Sequence, residues 1–269
     1  MEGLKVSDAL AIEANRLVRR FDGKVAVNGL SFEVRRGEVY GLLGPNGAGK
    51  TTTIRMVCGL LPPSDGWVKV FGFDPAIHPI EVKTLVGLVP EEKMLYESLT
   101  PKEFFDFIAS VRRLPRPVAT KRVRSLVEAF DMKEYYDTLI GALSLGTRQK
   151  IAIINALVHE PPLLVLDEPL SGLDARSARL LKEFMNIHLE NRGAILFSSH
   201  ILEVAESLCT RIGILDKGRL VAEGTVDELR DLVKSHGSLE DVFLKAVQQD
   251  TEVAQAVQIL RQALAEERR

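Results

Sequence analysis

Gly44-Pro45-Asn46-Gly47-Ala48-Gly49-Lys50-Thr51 fits the pattern GxxxxGK[ST], whose glycines let the backbone wrap an anion with its N–H groups turned inward. The flanks agree with that reading. Val39-Tyr40-Gly41-Leu42-Leu43 has the apolar character of a buried strand, and Thr51 to Leu61, closed by Pro62-Pro63, has that of a helix. A helix starting at the loop turns its positive dipole end toward bound phosphates. Lys50 then reaches the β- and γ-phosphates of ATP or GTP, the Thr51 hydroxyl holds Mg2+, and Thr52 completes the nucleotide-binding run. The alternative is a plain glycine-rich turn between strand and helix.

A second element lies downstream. Leu163-Leu164-Val165-Leu166 is an unbroken apolar run that ends in Asp167-Glu168-Pro169. Such a run suits a parallel strand covered on both faces, which delivers its terminal acids to the sheet edge where α/β proteins bind ligands. Asp167 is placed to hold hydrated Mg2+, and Glu168, aimed differently, to polarise the water that attacks the γ-phosphate. Read alone, the same residues make a strand ending in a solvated acidic turn.

The 269 residues allow one large core with an attached subdomain, and 46% hydrophobic with 27% charged residues is ordinary for a globular chain. No apolar run approaches the roughly eighteen residues of a membrane span. Met1 to Lys5 lacks a secretory leader's basic and apolar segments, so a cytoplasmic location is expected. Net charge is −2 with Lys and Arg scattered, which argues against a sequence-independent grip on nucleic acid or anionic lipid. The nearest thing to a patch, Arg112-Arg113 with Arg116, reads as a solvated helix end. Cys58 and Cys209 have no ligand-like spacing and read as buried, reduced thiols. His78, His159, His188 and His236 read as structural.

Along the chain, strand-like runs such as Leu30-Ser31-Phe32-Glu33-Val34 and turn residues between Ala11 and Val39 predict a β-layer, which Trp67-Val68-Lys69-Val70 extends. Thr100-Pro101-Lys102-Glu103 is a capping box followed by amphipathic helical sequence, so a helical insertion splits the core. Strand Leu163 to Leu166, helix Ala175 to Asn191, strand Ala194 to Ser198, helix Ile201 to Leu208 and strand Ile212 to Asp216 then restore an α/β rhythm. From Gly237 the tail is helical, with a stripe of Val253, Val257, Leu260 and Leu264 that reads as a docked helix.

Leu143-Ser144-Leu145-Gly146-Thr147-Arg148-Gln149-Lys150 resembles the signature motif of ABC-transporter ATPases. Ser171-Gly172-Leu173-Asp174 resembles their D-loop, Ser198-Ser199-His200 their switch histidine and Phe21 their adenine-stacking aromatic. The resemblance runs in consistent order over residues 11 to 232. It implies an α/β P-loop NTPase (RecA-like) core, about 11–96 and 160–236, with an N-terminal antiparallel β-layer, a helical insertion at about 97–159 and a C-terminal helical extension at 237–269. Ser144 and Gly146 are then expected to serve the nucleotide of a facing subunit, and Asp174 to be a further nucleotide-site residue. Ser144 alone reads equally as a helix cap. His200 is expected at the γ-phosphate and Phe21 on adenine.

Two positions depart from the family's commonest pattern. Glu91, in Val89-Pro90-Glu91-Glu92, stands where most members carry the Q-loop glutamine, and the signature has Leu145 and Thr147 in place of Gly and Gln. A carboxylate still accepts from a Mg2+-bound water, so Glu91 joins Thr51 and Asp167 as a metal-side residue. With Gly237-Ser238-Leu239-Glu240-Asp241-Val242-Phe243, these variants are similar to ATPase subunits of ABC-2-type exporters. The resemblance implies an ATP-hydrolysing subunit working as a homodimer, or beside a second ATP-binding subunit, in head-to-tail arrangement. It drives a separate membrane permease, expected to export, and sits peripherally on the inner face of the cell membrane through it. Glu91, Glu92, Met94, Leu95, Tyr96 and the amphipathic segment from Thr100 are the surface expected to receive that permease, the alternative being a local hydrophobic cap on the insertion. The alternatives are a non-transport ABC ATPase acting as a scaffold or remodeller, and a small-molecule kinase, which would leave the Ser144 and Asp174 motifs unexplained.

Overall fold

The computed structural model describes residues 10–232 and 239–246. The first half runs β1 (Leu10–Phe21), β2 (Lys24–Arg35), β3 (Val39–Leu43), α1 (Lys50–Val57), β4 (Asp65–Val70), α2 (Pro79–Leu85), β5 (Val86–Val89), α3 (Pro101–Val111) and α4 (Arg116–Ala129). Two short 3-10 turns lead to α5 (Leu145–Leu157), β6 (Leu163–Asp167), α6 (Ala175–Glu190), β7 (Ala194–Ser199), α7 (Leu202–Leu208), β8 (Arg211–Asp216), β9 (Arg219–Gly224), α8 (Val226–Leu232) and α9 (Leu239–Ala246).

Two sheets follow from two burial patterns. Along β2, buried Leu30, Phe32 and Val34 alternate with exposed Ser31 and Glu33, as in a strand with one face on a core. That strand joins an antiparallel sheet of order β2-β1-β4, the expected β-layer. In β3, β6 and β7 every residue is buried, as parallel strands covered on both faces require. They lie in a six-stranded sheet of order β5-β6-β7-β3-β8-β9, in which β9 alone runs antiparallel to its neighbour. One face of this sheet packs on α5, α6 and α7, and the other on α1 and the β-layer, giving two hydrophobic cores. The predicted class, α/β with a β-layer and an inserted helical segment, is the class observed.

One expected boundary is corrected. The helix after the phosphate loop ends at Val57, not Leu61. Gly59 turns left-handed at φ +66°, and Gly59 N and Leu60 N donate to Met56 O and Arg55 O. This paired closure satisfies the last carbonyls and stops the helix before the prolines do.

The capping box at Thr100 is present in full, with Glu103 N donating to Thr100 Oγ1 at 3.2 Å and Thr100 N to Glu103 Oε2 at 2.9 Å. Strands β5 and β9 and helices α2 and α8 carry too little periodic sequence to have been foreseen. The β8–β9 hairpin turns on Lys217 and Gly218, both at positive φ, which matches the twist of a two-residue connection. In α9, buried Val242 and half-buried Phe243 pack on the larger core. The stripe Val253, Val257, Leu260 and Leu264, and His236, lie outside the described residues. Among the described residues no helix is long and apolar enough to cross a membrane.

Cys58 and Cys209 are buried free thiols, pushed up to about 12 by burial, which leaves them unreactive in the folded state. His159 is half-buried with Nε2 3.0 Å from Val86 O, and loss of solvent lowers its pKa to about 4. Its proton is therefore disfavoured by folding. Stability from this group is fully present above its ordinary value of 6.5 and is lost as pH falls toward about 4. We expect the urea midpoint of His159→Gln to fall less than that of the parent across this window. Parallel losses would remove His159 as the cause.

Candidate functional site

The octet Gly44–Thr51 connects the carboxyl end of β3 to the first turn of α1. Its glycines are needed for space as much as for φ. A Cβ on Gly44 would lie 2.4 Å from Leu215 O, and one on Gly49, already at φ +107°, would lie 2.7 Å from Ala26 O. The loop thus nestles between β8 and the β-layer. Helix α1 begins at Gly49 with no side-chain cap, so its first N–H groups remain available to an anion. Lys50 is 7% exposed, and its Nζ donates to Gly44 O at 2.7 Å. Burial lowers its ammonium pKa, while Glu168, Asp167 and Glu91 pull it back up.

Those three acids come from two neighbouring strands. Asp167 ends β6 and is 2% exposed. Burial raises its pKa against hydrogen bonds from Ser198 and Thr51. Ser198 Oγ donates to Asp167 Oδ1 at 2.5 Å and also accepts from Glu168 N at 3.2 Å. Glu168 itself takes φ +49°, in the left-handed region. His200, one residue past β7, lies with Nδ1 2.8 Å from Glu168 Oε1. Glu91, two residues past β5, accepts from the Thr51 hydroxyl at 3.4 Å. Lys50, Thr51, Glu91, Asp167, Glu168 and His200 therefore converge on one edge of the parallel sheet.

Ser144, Gly146 and Asp174 form a second cluster. Ser144 is exposed at the start of α5, where its Oγ accepts from Thr147 N at 3.2 Å. Gly146 abuts the D-loop, since a Cβ there would lie 2.5 Å from Gly172 O. Asp174 caps α6, accepting from Ser177 N at 2.8 Å and pairing with Lys150 at 3.1 Å. The Ser177 amide and Lys150 hold its carboxyl well below the usual range. No hydrogen bond among the described residues joins this cluster directly to the phosphate loop. Phe21 stands at the β1–β2 turn, 42% exposed, with the Arg19 guanidinium 4.6 Å from its ring centre.

Two further residues belong to the site, Ser198 and Gln149. Ser198 orients both acids of β6. Gln149, fully buried, donates from Nε2 to Pro169 O at 2.7 Å and ties the signature helix to the turn after Glu168. Neither was legible in advance, because each acts through a contact with a distant strand end.

A glycine cradle, an uncapped helix start, a buried lysine and acids at the ends of adjacent parallel strands define an ATP-binding cassette. The family model described as ABC transporter matches residues 27–171. The chain is 38% identical over 231 residues to the ABC transporter ATP-binding protein NatA of Bacillus subtilis (strain 168), covering 84% of this chain and 94% of that protein. It is 36% identical over 226 residues to the daunorubicin/doxorubicin resistance ATP-binding protein DrrA of Streptomyces peucetius, covering 84% and 68%. A solved structure of the ATP binding subunit of an ABC transporter matches with a TM-score of 0.83 at 32% identity, covering 88% of this chain and 99% of that one. The chain belongs to the ABC transporter family, as an ATP-hydrolysing, ATP-binding subunit. Such subunits act as dimers with membrane permease partners.

Removing the Ser198 hydroxyl leaves a buried carboxylate short of a donor. We expect Ser198→Ala to cost about 1–3 kcal/mol of stability and to lower ATPase turnover. Urea unfolding and steady-state hydrolysis measure the two effects, and an unchanged midpoint would show that Ser198 does not hold Asp167.

Proposed function

We propose that this subunit hydrolyses Mg-ATP in a head-to-tail dimer and, docked on a permease at the inner face of the cell membrane, drives export. The observation that carries the catalytic reading is the convergence of Lys50, Thr51, Glu91, Asp167, Glu168 and His200 on one sheet edge. Three carboxylates around one buried ammonium leave excess negative charge, a donor set that fits a divalent cation. Thr51, Asp167 and Glu91 would hold Mg2+, which when bound neutralises charge on the β- and γ-phosphoryl oxygens.

The chain's own groups have separable tasks. The Gly44, Pro45, Asn46, Gly47, Ala48 and Gly49 backbone, with Lys50, Thr51 and Thr52, binds and orients the phosphates. Glu168 orients the attacking water and takes its proton at a carboxylate oxygen, while His200 holds Glu168 at Oε1 and contributes its own ring N–H. Phe21 offers a ring for adenine to stack on.

Ser144, Gly146 and Asp174 complete the nucleotide site of the facing copy. Their separate placement supports that role, since Ser144 is exposed at a helix start and is not bonded to its own phosphate loop. The segment after Glu91 supports permease docking. Met94 is 84% and Tyr96 55% exposed, and Tyr96 meets half-exposed Phe107 edge-on at 5.5 Å. Leu95 packs inward, and Glu92 pairs with Arg55 at 3.8 Å. Residues 11–96 and 160–236 form the nucleotide-handling core, 97–159 the insertion and 237–269 the extension. Export is supported by the relatives' names, a resistance protein among them.

Glu168→Gln should retain ATP binding, lose most turnover, and accumulate as an ATP-bound dimer in size-exclusion chromatography with Mg-ATP. A persistent monomer with normal hydrolysis would overturn the assignment of Glu168. The composite site is tested by mixing Ser144→Arg with Lys50→Ala subunits, which leaves one complete site in each mixed dimer. Hydrolysis should peak at an intermediate ratio. A monotonic decline between the two parents would argue against head-to-tail sites.

A further inference from the structure

The stretch from Arg112 to Arg124 holds Arg112, Arg113, Arg116, Lys121, Arg122 and Arg124 with no acidic residue between them. The solvated-helix-end reading of its first three members is too weak for what the fold does with the rest. Arg116, Thr120 and Arg124 recur every fourth residue and share one face of α4. That face lines a groove of about 510 Å3 against α3, with Lys102, Asp106 and Tyr136 on the other walls. A second cavity of about 430 Å3 continues it, sharing Asp106, Arg116, Thr120 and Tyr136. Both volumes are in the range of small-ligand sites.

The charge of this groove is not balanced from within. Lys133 also lines it but pairs with Glu128 at 2.9 Å. Lys102, Arg116 and Arg124 enter no ion pair among the described residues, and Asp106 is the one acid on the walls. Two of these cations also sit where helix stability disfavours them. Lys102 is in the first turn of α3 and Arg116 is the first residue of α4, so both face the positive ends of helix dipoles. Three exposed cations that line one concavity with no ion pair among the described residues make it a positive site that attracts an anion.

We propose that the α3–α4 groove binds a phosphate-bearing anion. A phosphoryl group carries about two negative charges and three acceptor oxygens, enough to meet several cations at once, whereas one carboxylate carries a single charge. The Thr120 and Tyr136 hydroxyls add neutral donors. The anion is either a free phosphate compound or the headgroup of an acidic lipid, and both present the same group to the same residues.

The test uses the full chain carrying Lys50→Ala, which weakens the phosphate loop, and labelled pyrophosphate in equilibrium dialysis. Adding Arg116→Gln with Arg124→Gln should weaken binding at least about tenfold, the loss of two charge-assisted contacts. Lys121→Gln, on the other face of α4, should leave it unchanged. A parallel arm sediments the same chains with phosphatidylglycerol-containing vesicles and with phosphatidylcholine vesicles. Selective loss in the dialysis arm identifies a free phosphate compound, and selective loss in the vesicle arm identifies a lipid headgroup. Arg116→Lys with Arg124→Lys keeps the charge and should keep binding, which separates charge loss from misfolding. Binding of neither probe, equal weakening by Lys121→Gln, or failure of the lysine pair to bind would each overturn the proposal.

Discussion

The buried ammonium of Lys50 sets the condition on which the rest of the site depends: its Nζ donates to Gly44 O at 2.7 Å and Pro45 O at 3.3 Å, and Glu168, Asp167 and Glu91 act on it through their field without pairing with it. Charges of this kind cannot be left in an apolar core without partners, and here the cation is outnumbered. The fold resolves the imbalance by keeping the cluster at the carboxyl edge of a parallel sheet, where strand ends, not strand interiors, carry the polar groups. Asp167 can then be 2% exposed and still reach the Ser198 and Thr51 hydroxyls.

The opposite end of the same sheet shows the contrast. There Arg211 donates to both oxygens of Glu38 at 3.2 and 3.3 Å and to Glu223 at 2.5 Å, and Tyr40 donates to Glu223 at 3.0 Å. That network closes on itself and locks β3, β8 and β9 together. Two carboxylates bonded directly to one guanidinium stabilise one end, and acids that make no ion pair with Lys50 leave a place for a ligand at the other. The α3–α4 groove repeats the second condition with the opposite sign.

Helix ends are used in three ways. Helix α3 is closed by its own capping box. Helices α5 and α6 are capped by Ser144 and Asp174. Helix α1 has no side-chain cap at all. Helices α2, α4 and α7 also lack a side-chain cap, but the open first turn of α1 directly follows the glycine loop, where free N–H groups can serve a phosphate. Gln149 and Gly146 then tie the capped signature helix to the turn after Glu168 and to the D-loop, so the two clusters are mechanically joined although they share no hydrogen bond.

Much of this was legible in the amino-acid order. The octet at Gly44, the apolar run into Asp167-Glu168, the capping box at Thr100 and the alternation in β2 are all local, since each depends on residues within a few positions of one another. What the sequence could not say was which strand ends would be neighbours. The order β5-β6-β7-β3 puts Glu91 beside Thr51, Ser198 beside Asp167 and His200 beside Glu168, over separations of tens of residues. The gathering of basic residues from two helices into one groove was likewise decided in three dimensions, whereas the stop of α1 was a local matter of Gly59. Local sequence determined the elements and the chemistry each one carries, and only packing determined which chemistries meet, because hydrogen bonds and charge pairs act over distances that the linear chain does not encode.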